Sequence, residues 1–271
     1  MIDLKKSFFE KGFTEIFNTG LFENSKLINL QNIIYHYTKE QLIDHDDNLR
    51  IDKKLQIPFK KPVDSTFCEN LENKINQEDE IKKIINSKEI IDKFKIIFES
   101  PEIFKISLFR CKLPMIKKKS FPWHQDEGTW YLFNDKYYTN KLIGVLWLSI
   151  NGSDNSNSIE LIQKSHSFKK LLKHNYIKNL GYFSVDLKNK FRDLPVKKVE
   201  TKPGEALIFH NLTLHRTSDS IHEVKMIPRY SLDIRFYDKN KYLNYNIDFI
   251  YRLEKILRGF KIKTRRDGIK L

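Results

Sequence analysis

The sequence contains little cysteine, glycine or proline, and it has no long apolar run. Two cysteines in 271 residues, Cys68 and Cys111, cannot build a disulfide framework, and their spacing is not typical of a metal-binding pair. The longest apolar run, residues 142–150, is about half as long as a transmembrane helix requires. The N-terminus lacks the apolar stretch of a signal peptide. We therefore expect a soluble, cytoplasmic protein with no transmembrane segment.

The order of the residue patterns predicts an α+β fold. Apolar residues make up 40% of the chain, enough for a substantial core, so we do not expect a disordered chain. Apolar residues recur at helical spacing in segments 8–17, 27–34 and 79–98. Short β-type runs follow at 103–109, 142–150, 159–162, 206–209 and 230–237. We expect one domain over residues 1–240, helical in 1–100 and β-rich in 101–240, and a basic helix or tail over 241–271.

The charge is strongly positive. Forty-nine Lys and Arg against 35 Asp and Glu give a net charge of +14, which attracts anions. The lysines are spread along the chain, and no zinc-finger, RNA-recognition or helix-turn-helix signature accompanies them. We expect a small carboxylated or phosphorylated substrate and no nucleic-acid partner; the oligomeric state is left open.

Two distant segments contain residues that suit a metal ion. His124 and Asp126 form an HxD triplet, and on a strand their side chains would share one face about 6.5 Å apart. His215 follows a turn and a strand, and Arg229 begins a later alternating strand. Two histidines and a carboxylate are the ligand set of non-haem Fe(II) oxygenases, and an arginine can bind a carboxylate through two hydrogen bonds.

Five segments together resemble the phytanoyl-CoA dioxygenase-like Fe(II)/2-oxoglutarate oxygenases. They are WHQD at 123–126, GVLWLSI at 144–150, SIELIQKSH at 158–166, PGEALIFHNLTLHRTS at 203–218 and RYSLDIRF at 229–236. The resemblance implies a double-stranded β-helix (jelly-roll, cupin-like) core with N-terminal helices against it. It also implies Fe(II), 2-oxoglutarate and O2 as reactants, and hydroxylation of a substrate C–H bond with release of succinate and CO2.

The resemblance also assigns roles to individual residues. His124, Asp126 and His215 match the metal ligands, and Arg229 matches the arginine that binds the distal carboxylate of 2-oxoglutarate. Thr217 and Trp147 match further residues of the cosubstrate pocket.

Two departures from the family pattern stand out. Gln163-Lys164 replaces the usual Pro-Gly before Ser-His, and the segment between His215 and Arg229 is longer than usual. The second departure leaves Arg235 as an alternative to Arg229.

Other candidates lie outside these motifs. Arg110 and Lys112 are the first choice for binding an anionic substrate, and Trp130 with the aromatic residues after it is a candidate lid. Glu127 is expected to face solvent. We place His210 in the core or near the pocket, and His166 and His174 at the surface.

Two rival functions remain open at this point. A zinc hydrolase could use the same three ligands, but it would not need Arg229. A non-catalytic jelly-roll binding protein with a basic surface for nucleic acid or membrane would leave the intact ligand set unexplained.

Overall fold

The structure is a computed structural model that describes residues 3–23, 25–44, 48–104, 106–115, 120–132, 140–177, 182–187, 189–218, 227–247 and 252. The helices are α1 (Leu4–Lys11), α2 (Lys26–Thr38), α3 (Ile51–Lys54), α4 (Ser65–Asn76), α5 (Asp79–Ile85), α6 (Lys88–Ile97), α7 (Asp126–Leu132) and α8 (Asn189–Arg192). The strands are β1 (Phe17–Asn18), β2 (Pro101–Ile103), β3 (Leu108–Lys112), β4 (Lys141–Ser149), β5 (Ile159–Ile162), β6 (Lys170–Leu171), β7 (His174–Ile177), β8 (Tyr182–Val185), β9 (Val196–Lys198), β10 (Glu205–His210), β11 (His215–Thr217), β12 (Arg229–Tyr242) and β13 (Asn246–Ile247).

The N-terminal helices begin and end at residues that suit those positions. The Asp3 carboxylate accepts a hydrogen bond from the Lys6 amide at the start of α1, and Gly12 ends this helix with a φ of 90°. Asp64 caps α4 in the same way through the Phe67 amide. The single helix expected over 79–98 is two helices, α5 and α6, because Ser87 is extended and starts the second one. The mainly helical character of residues 1–100 is as expected.

A six-stranded antiparallel sheet is the centre of the fold. Its order is β1-β10-β4-β12-β2, with β3 also paired along β12. Every residue of β4 is buried, because this strand packs on both faces. Leu146 and Leu148 join the core formed with the helices, whereas Val145 and Trp147 face the second sheet.

The second sheet is smaller and also antiparallel, in the order β11-β5-β9. Leu161 of β5 packs in one cluster with Val145 and Trp147 of the main sheet. An isolated bridge between His124 and His215 joins the segment before α7 to the start of β11. The fold is therefore α+β, with helices against one face of an antiparallel sheet and a smaller sheet against the other.

Three local expectations were wrong. Asp126 lies at the start of α7 and not on a strand with His124. The run 103–109 is not one strand, because β2 ends at Ile103 and β3 begins at Leu108. Residues 241–247 complete β12 and form β13, which pairs with β6, so this part of the expected basic helix is strand. Apart from Arg252, the rest of that tail lies outside the described residues. Within the described ranges, no helix has the length and apolarity needed to span a bilayer.

Candidate metal centre

His124, Asp126 and His215 bring three potential ligand atoms together. These atoms all lie within 4.8 Å of one another. Asp126 Oδ1 is 3.7 Å from His124 Nε2 and 3.6 Å from His215 Nε2. Paired backbone hydrogen bonds between the two histidines, each 3.0 Å long, fix the separation of the imidazoles. Residues that are distant in sequence thus form one group that could hold a metal ion.

Both imidazoles are oriented to leave Nε2 available. His124 Nδ1 is 2.8 Å from the Pro122 carbonyl, and His215 Nδ1 is 3.0 Å from the Thr213 carbonyl. A carbonyl can only accept, so each Nδ1 is the protonated nitrogen and each Nε2 has a free lone pair. Burial, with a contribution from His215, lowers the pKa of His124 to about 3, and burial also lowers the pKa of His215. Both side chains are therefore neutral, as metal binding requires.

Arg235 holds the carboxylate of this group. Its Nε donates to Asp126 Oδ2 at 2.9 Å, and both side chains are buried. Burial alone would raise the pKa of Asp126, but Arg235 and the two imidazoles keep it well below its ordinary value. Arg235, the alternative for binding 2-oxoglutarate, is therefore engaged with a candidate metal ligand.

Gln125 and His174 fix the backbone between His124 and Asp126. Gln125 Nε2 donates to the carbonyls of Lys170 and Leu212, and its Oε1 accepts from the Leu172 amide. The Gln125 amide donates to His174 Nε2 at 3.0 Å. His174, expected at the surface, is buried because it supports this segment. A Cβ at Gly128 would lie 2.2 Å from the His174 ring, so only glycine fits there.

Glu127 is buried, and the expectation that it faces solvent was wrong. Its Oε2 accepts from Asn211 Nδ2, and its Oε1 accepts from the Asn140 amide and from the Tyr245 hydroxyl. The start of α7 turns the side chain inward, which an extended segment would not do. Burial raises the pKa of Glu127 to about 7. Glu127 therefore links the helix that begins at Asp126 to β10 and the C-terminal segment.

A cavity of about 180 Å³ opens beside the three candidate ligands. Its wall also contains Arg229, Trp147, Thr217 and Ser231. Arg229 is 4% exposed, and its guanidinium lies 5.4 Å from the Trp147 ring centre. Among the described residues, neither Arg229 Nε and Nη1 nor Ser231 Oγ has a hydrogen-bond partner. Burial lowers the pKa of Arg229 only to about 10, so the side chain is charged at neutral pH.

Buried hydrogen-bond donors without a partner lower the stability of the fold. Those of Arg229 and Ser231 lie on one face of β12. Arg229, Ser231, Asp233 and Arg235 alternate along the strand and all line the cavity. Ser231 was not among the residues predicted from the sequence, although its position two residues after Arg229 places it on the same face of the strand. A buried cation with free N–H groups fits an anion that enters the cavity.

The candidate substrate residues have different surroundings. Arg110 lines the cavity, and its Nη1 is 3.3 Å from Glu72 Oε2. Lys112 is also in the wall, but its Nζ donates to the carbonyls of Ser156 and Ser218 at 2.9 and 2.7 Å. The Trp130 side chain and residues 133–139 lie outside the described part, and of the candidate lid the structure describes the side chain of Tyr131, which is buried in one cluster with Leu171.

His166 and His210 do not belong to the group of candidate metal ligands. His166 was expected at the surface but is buried, because its Nε2 hydrogen-bonds the Phe9 carbonyl. His210 lies in the core, as expected, and stacks on Phe8 with ring centres 5.6 Å apart. Its Nδ1 accepts from the Leu212 amide.

Fold and site define a protein with an antiparallel β core and a His-Asp-His group beside a cavity containing a buried arginine. The sequence profile of the family described as Phytanoyl-CoA dioxygenase (PhyH) matches residues 10–220. The chain therefore belongs to this family, which confirms the resemblance in the motifs. A comparison with curated protein sequences gave no match.

Solved structures with the same fold include a non-haem α-ketoglutarate-dependent epimerase and two proteins crystallised with 2-oxoglutarate. The epimerase SnoN from nogalamycin biosynthesis has a TM-score of 0.56 and 11% identity over 87% of this chain and 82% of its own. EvdO2 from Micromonospora carbonacea var. aurantiaca, complexed with 2-oxoglutarate, has a TM-score of 0.54 and 13% identity over 90% and 93%. EctD from S. alaskensis, with 2-oxoglutarate and 5-hydroxyectoine, has a TM-score of 0.56 and 14% identity over 89% and 77%.

Proposed function

We propose that this protein is an Fe(II)- and 2-oxoglutarate-dependent dioxygenase that hydroxylates a small molecule. The observation that carries the proposal is the guanidinium of Arg229, which is buried and charged and whose Nε and Nη1 have no hydrogen-bond partner among the described residues. It lines the same cavity as His124, Asp126 and His215. A zinc hydrolase would have no use for a buried cation at this place, whereas a dicarboxylate cosubstrate would neutralise it.

The ligand group suits Fe(II). Two neutral imidazoles and one carboxylate on one side of an ion leave further coordination positions free for a cosubstrate and O2. When bound, Fe(II) and 2-oxoglutarate would together activate O2, which supplies the oxidising power for attack on a C–H bond. The protein's part is to hold the imidazoles neutral and to keep the Asp126 carboxylate ionised and oriented through Arg235.

The cosubstrate site is proposed to lie along β12 and β4. Arg229 would form an ion pair with the distal carboxylate of 2-oxoglutarate, and Ser231 Oγ would donate a further hydrogen bond to it. Trp147 packs against the guanidinium and fixes its plane. Thr217, on the same strand as His215, would border the same site.

Three finer points belong to the same proposal. A double-stranded β-helix is our description of the core, supported by the two antiparallel sheets that pack together through Trp147 and Leu161. A carboxylated or phosphorylated substrate would bind Arg110 in place of Glu72, since that ion pair occupies the guanidinium now. A cytoplasmic location is supported by the free thiols of Cys68 and Cys111.

Hydroxylation is the reaction we favour, although structural neighbours include the epimerase SnoN and the carbocyclase SnoK. The EctD structure contains a hydroxylated ligand, which supports hydroxylation, and in the ligand set of a bound metal Asp126 would occupy the position that a halide ion would need. Mass spectrometry of the product formed from the substrate under ¹⁸O2 distinguishes the outcomes, because only hydroxylation leaves labelled oxygen in that product, whereas succinate is labelled in every case.

The decisive experiment measures succinate formed from 2-oxoglutarate with Fe(II), ascorbate and O2. We expect slow turnover without substrate and faster turnover with a true substrate in a panel of small anions. Arg229→Gln should raise the KM for 2-oxoglutarate at least tenfold and leave iron affinity nearly unchanged. Arg192→Gln, at an exposed helical position, is the matched control. Absence of 2-oxoglutarate consumption together with zinc-dependent hydrolysis would refute the proposal.

A further inference from the structure

Cys68 and Cys111 meet at the cavity wall although 43 residues separate them in sequence. Their Sγ atoms are 3.2 Å apart, and both side chains are half-buried and line the cavity. A disulfide requires about 2.05 Å between the sulfurs, so a shift of roughly 1 Å would allow the bond. Two cysteines cannot form a framework of several disulfides, but these two are close enough to form a single one.

The two thiols are held in place by the seam between α4 and β3. Cys68, Glu72 and Asn76 follow one another at intervals of four residues on one face of α4. Asn76 exchanges hydrogen bonds with the backbone of Phe109, and Glu72 Oε1 accepts from the Cys111 amide at 3.1 Å. The free edge of β3 is thus bound by helix side chains, and the sulfur pair continues this row toward the cavity.

A metal ion is a weaker interpretation of this cluster. Glu72 is the third potential ligand, but its other oxygen is engaged by Arg110 at 3.3 Å. Burial raises the pKa of the Cys111 thiol, and the nearby Arg229 guanidinium opposes this rise only in part. Two guanidinium groups disfavour a bound cation but are compatible with thiol oxidation, which yields a neutral product.

We propose that Cys68 and Cys111 are a redox modification site, at which a hydroperoxide forms a reversible disulfide that ties α4 to β3. In the first step one thiol, as thiolate, attacks the peroxide oxygen, giving a sulfenic acid and releasing an alcohol or water. In the second step the other sulfur attacks the sulfenic sulfur, and the hydroxyl leaves as water with the remaining thiol proton. Two thiols lose two electrons and two protons, and the peroxide accepts both.

The bond would fix one wall of the cavity. Ser65, Cys68, Glu69 and Glu72 of α4 all line it. In the reduced protein this wall is held to β3 by polar contacts, whereas in the oxidised protein it would be held covalently. A reducing compartment would keep the bond transient.

The test uses the full chain without metal, in the presence of a chelator, with hydrogen peroxide as the probe. We expect the intact mass to fall by about 2 Da, both titratable thiols to disappear, and a reductant to restore them. Peptide mapping should show residues 68 and 111 in one cross-linked species. The melting temperature of the oxidised chain should rise by on the order of 5–10 °C, because the closed loop is long.

Cys68→Ser and Cys111→Ser are the matched variants. Each should give a sulfenic acid that dimedone labels, without the mass loss or the rise in melting temperature. Over-oxidation of both thiols without a cross-link, a purely intermolecular disulfide, or stoichiometric zinc that protects the thiols would overturn the proposal. No readout requires turnover, so this result is independent of the proposed oxygenase activity.

Discussion

Arg235 donates through Nε to Oδ2 of Asp126 at 2.9 Å, while the other carboxylate oxygen faces the two imidazoles. The guanidinium thus determines which oxygen is presented to a metal ion. It also compensates the charge of a carboxylate that is only 5% exposed. Arg235 is therefore a positioning residue for the metal centre.

Replacement of Arg235 by glutamine should weaken iron binding about 10- to 100-fold, because the carboxylate loses its fixed orientation. The metal-free variant should also be less stable, by about 3–5 kcal/mol, since the Asp126 charge is left buried without its partner. Iron titration and thermal unfolding measure the two effects.

The comparison with Arg229→Gln makes this prediction specific. That variant should raise the KM for 2-oxoglutarate while iron affinity changes little, since Arg229 has no contact with Asp126 among those described. If both variants weakened iron binding and raised the KM for 2-oxoglutarate in the same proportion, the separate roles assigned to the two arginines would be wrong.

The separate roles of Arg229 and Arg235 could be predicted only in part from the sequence. Positions 229 and 235 have the same parity on one strand, so both side chains face the cavity. The alternation along β12 predicts that both arginines lie on the cavity face of the strand. It does not predict which of them contacts Asp126, because the position of Asp126 depends on the start of α7 at this residue. The inward position of Glu127 was missed for the same reason. The identities of the three candidate ligands required only residue types and motif order.

Ser231→Ala should raise the KM for 2-oxoglutarate by roughly two- to tenfold, the value of one hydrogen bond to a charged group. Its Oγ lies in the cavity wall with no partner among the described residues, so its loss removes nothing from the fold. Ser149→Ala is the matched control, because Ser149 pairs with Ser231 on the adjacent strand but is not part of the cavity wall. Equal effects of the two variants on KM would contradict the assignment.

Gln125→Glu should destabilise the protein by about 2–4 kcal/mol and weaken iron binding. The substitution keeps the shape of the side chain but removes two donors that satisfy the carbonyls of Lys170 and Leu212, and it adds a buried charge. Gln77→Glu, at the exposed end of α4, should change stability by less than about 0.5 kcal/mol. Chemical denaturation of the metal-free proteins checks both values, and a neutral effect at position 125 would mean that this network does not support the site.

Lys164→Gly should stabilise the protein by about 0.5–1 kcal/mol. The φ of Lys164 is 61°, in the left-handed region that a side chain disfavours. Its amide donates to the Lys11 carbonyl, so the turn ties β5 to the end of α1 and holds this conformation in place. Lys202→Gly is the control, because this exposed residue has no positive φ and glycine there only increases the entropy of the unfolded chain. Denaturant unfolding should show opposite signs for the two variants. A loss of stability at position 164 would mean that the lysine side chain contributes more than its backbone conformation costs.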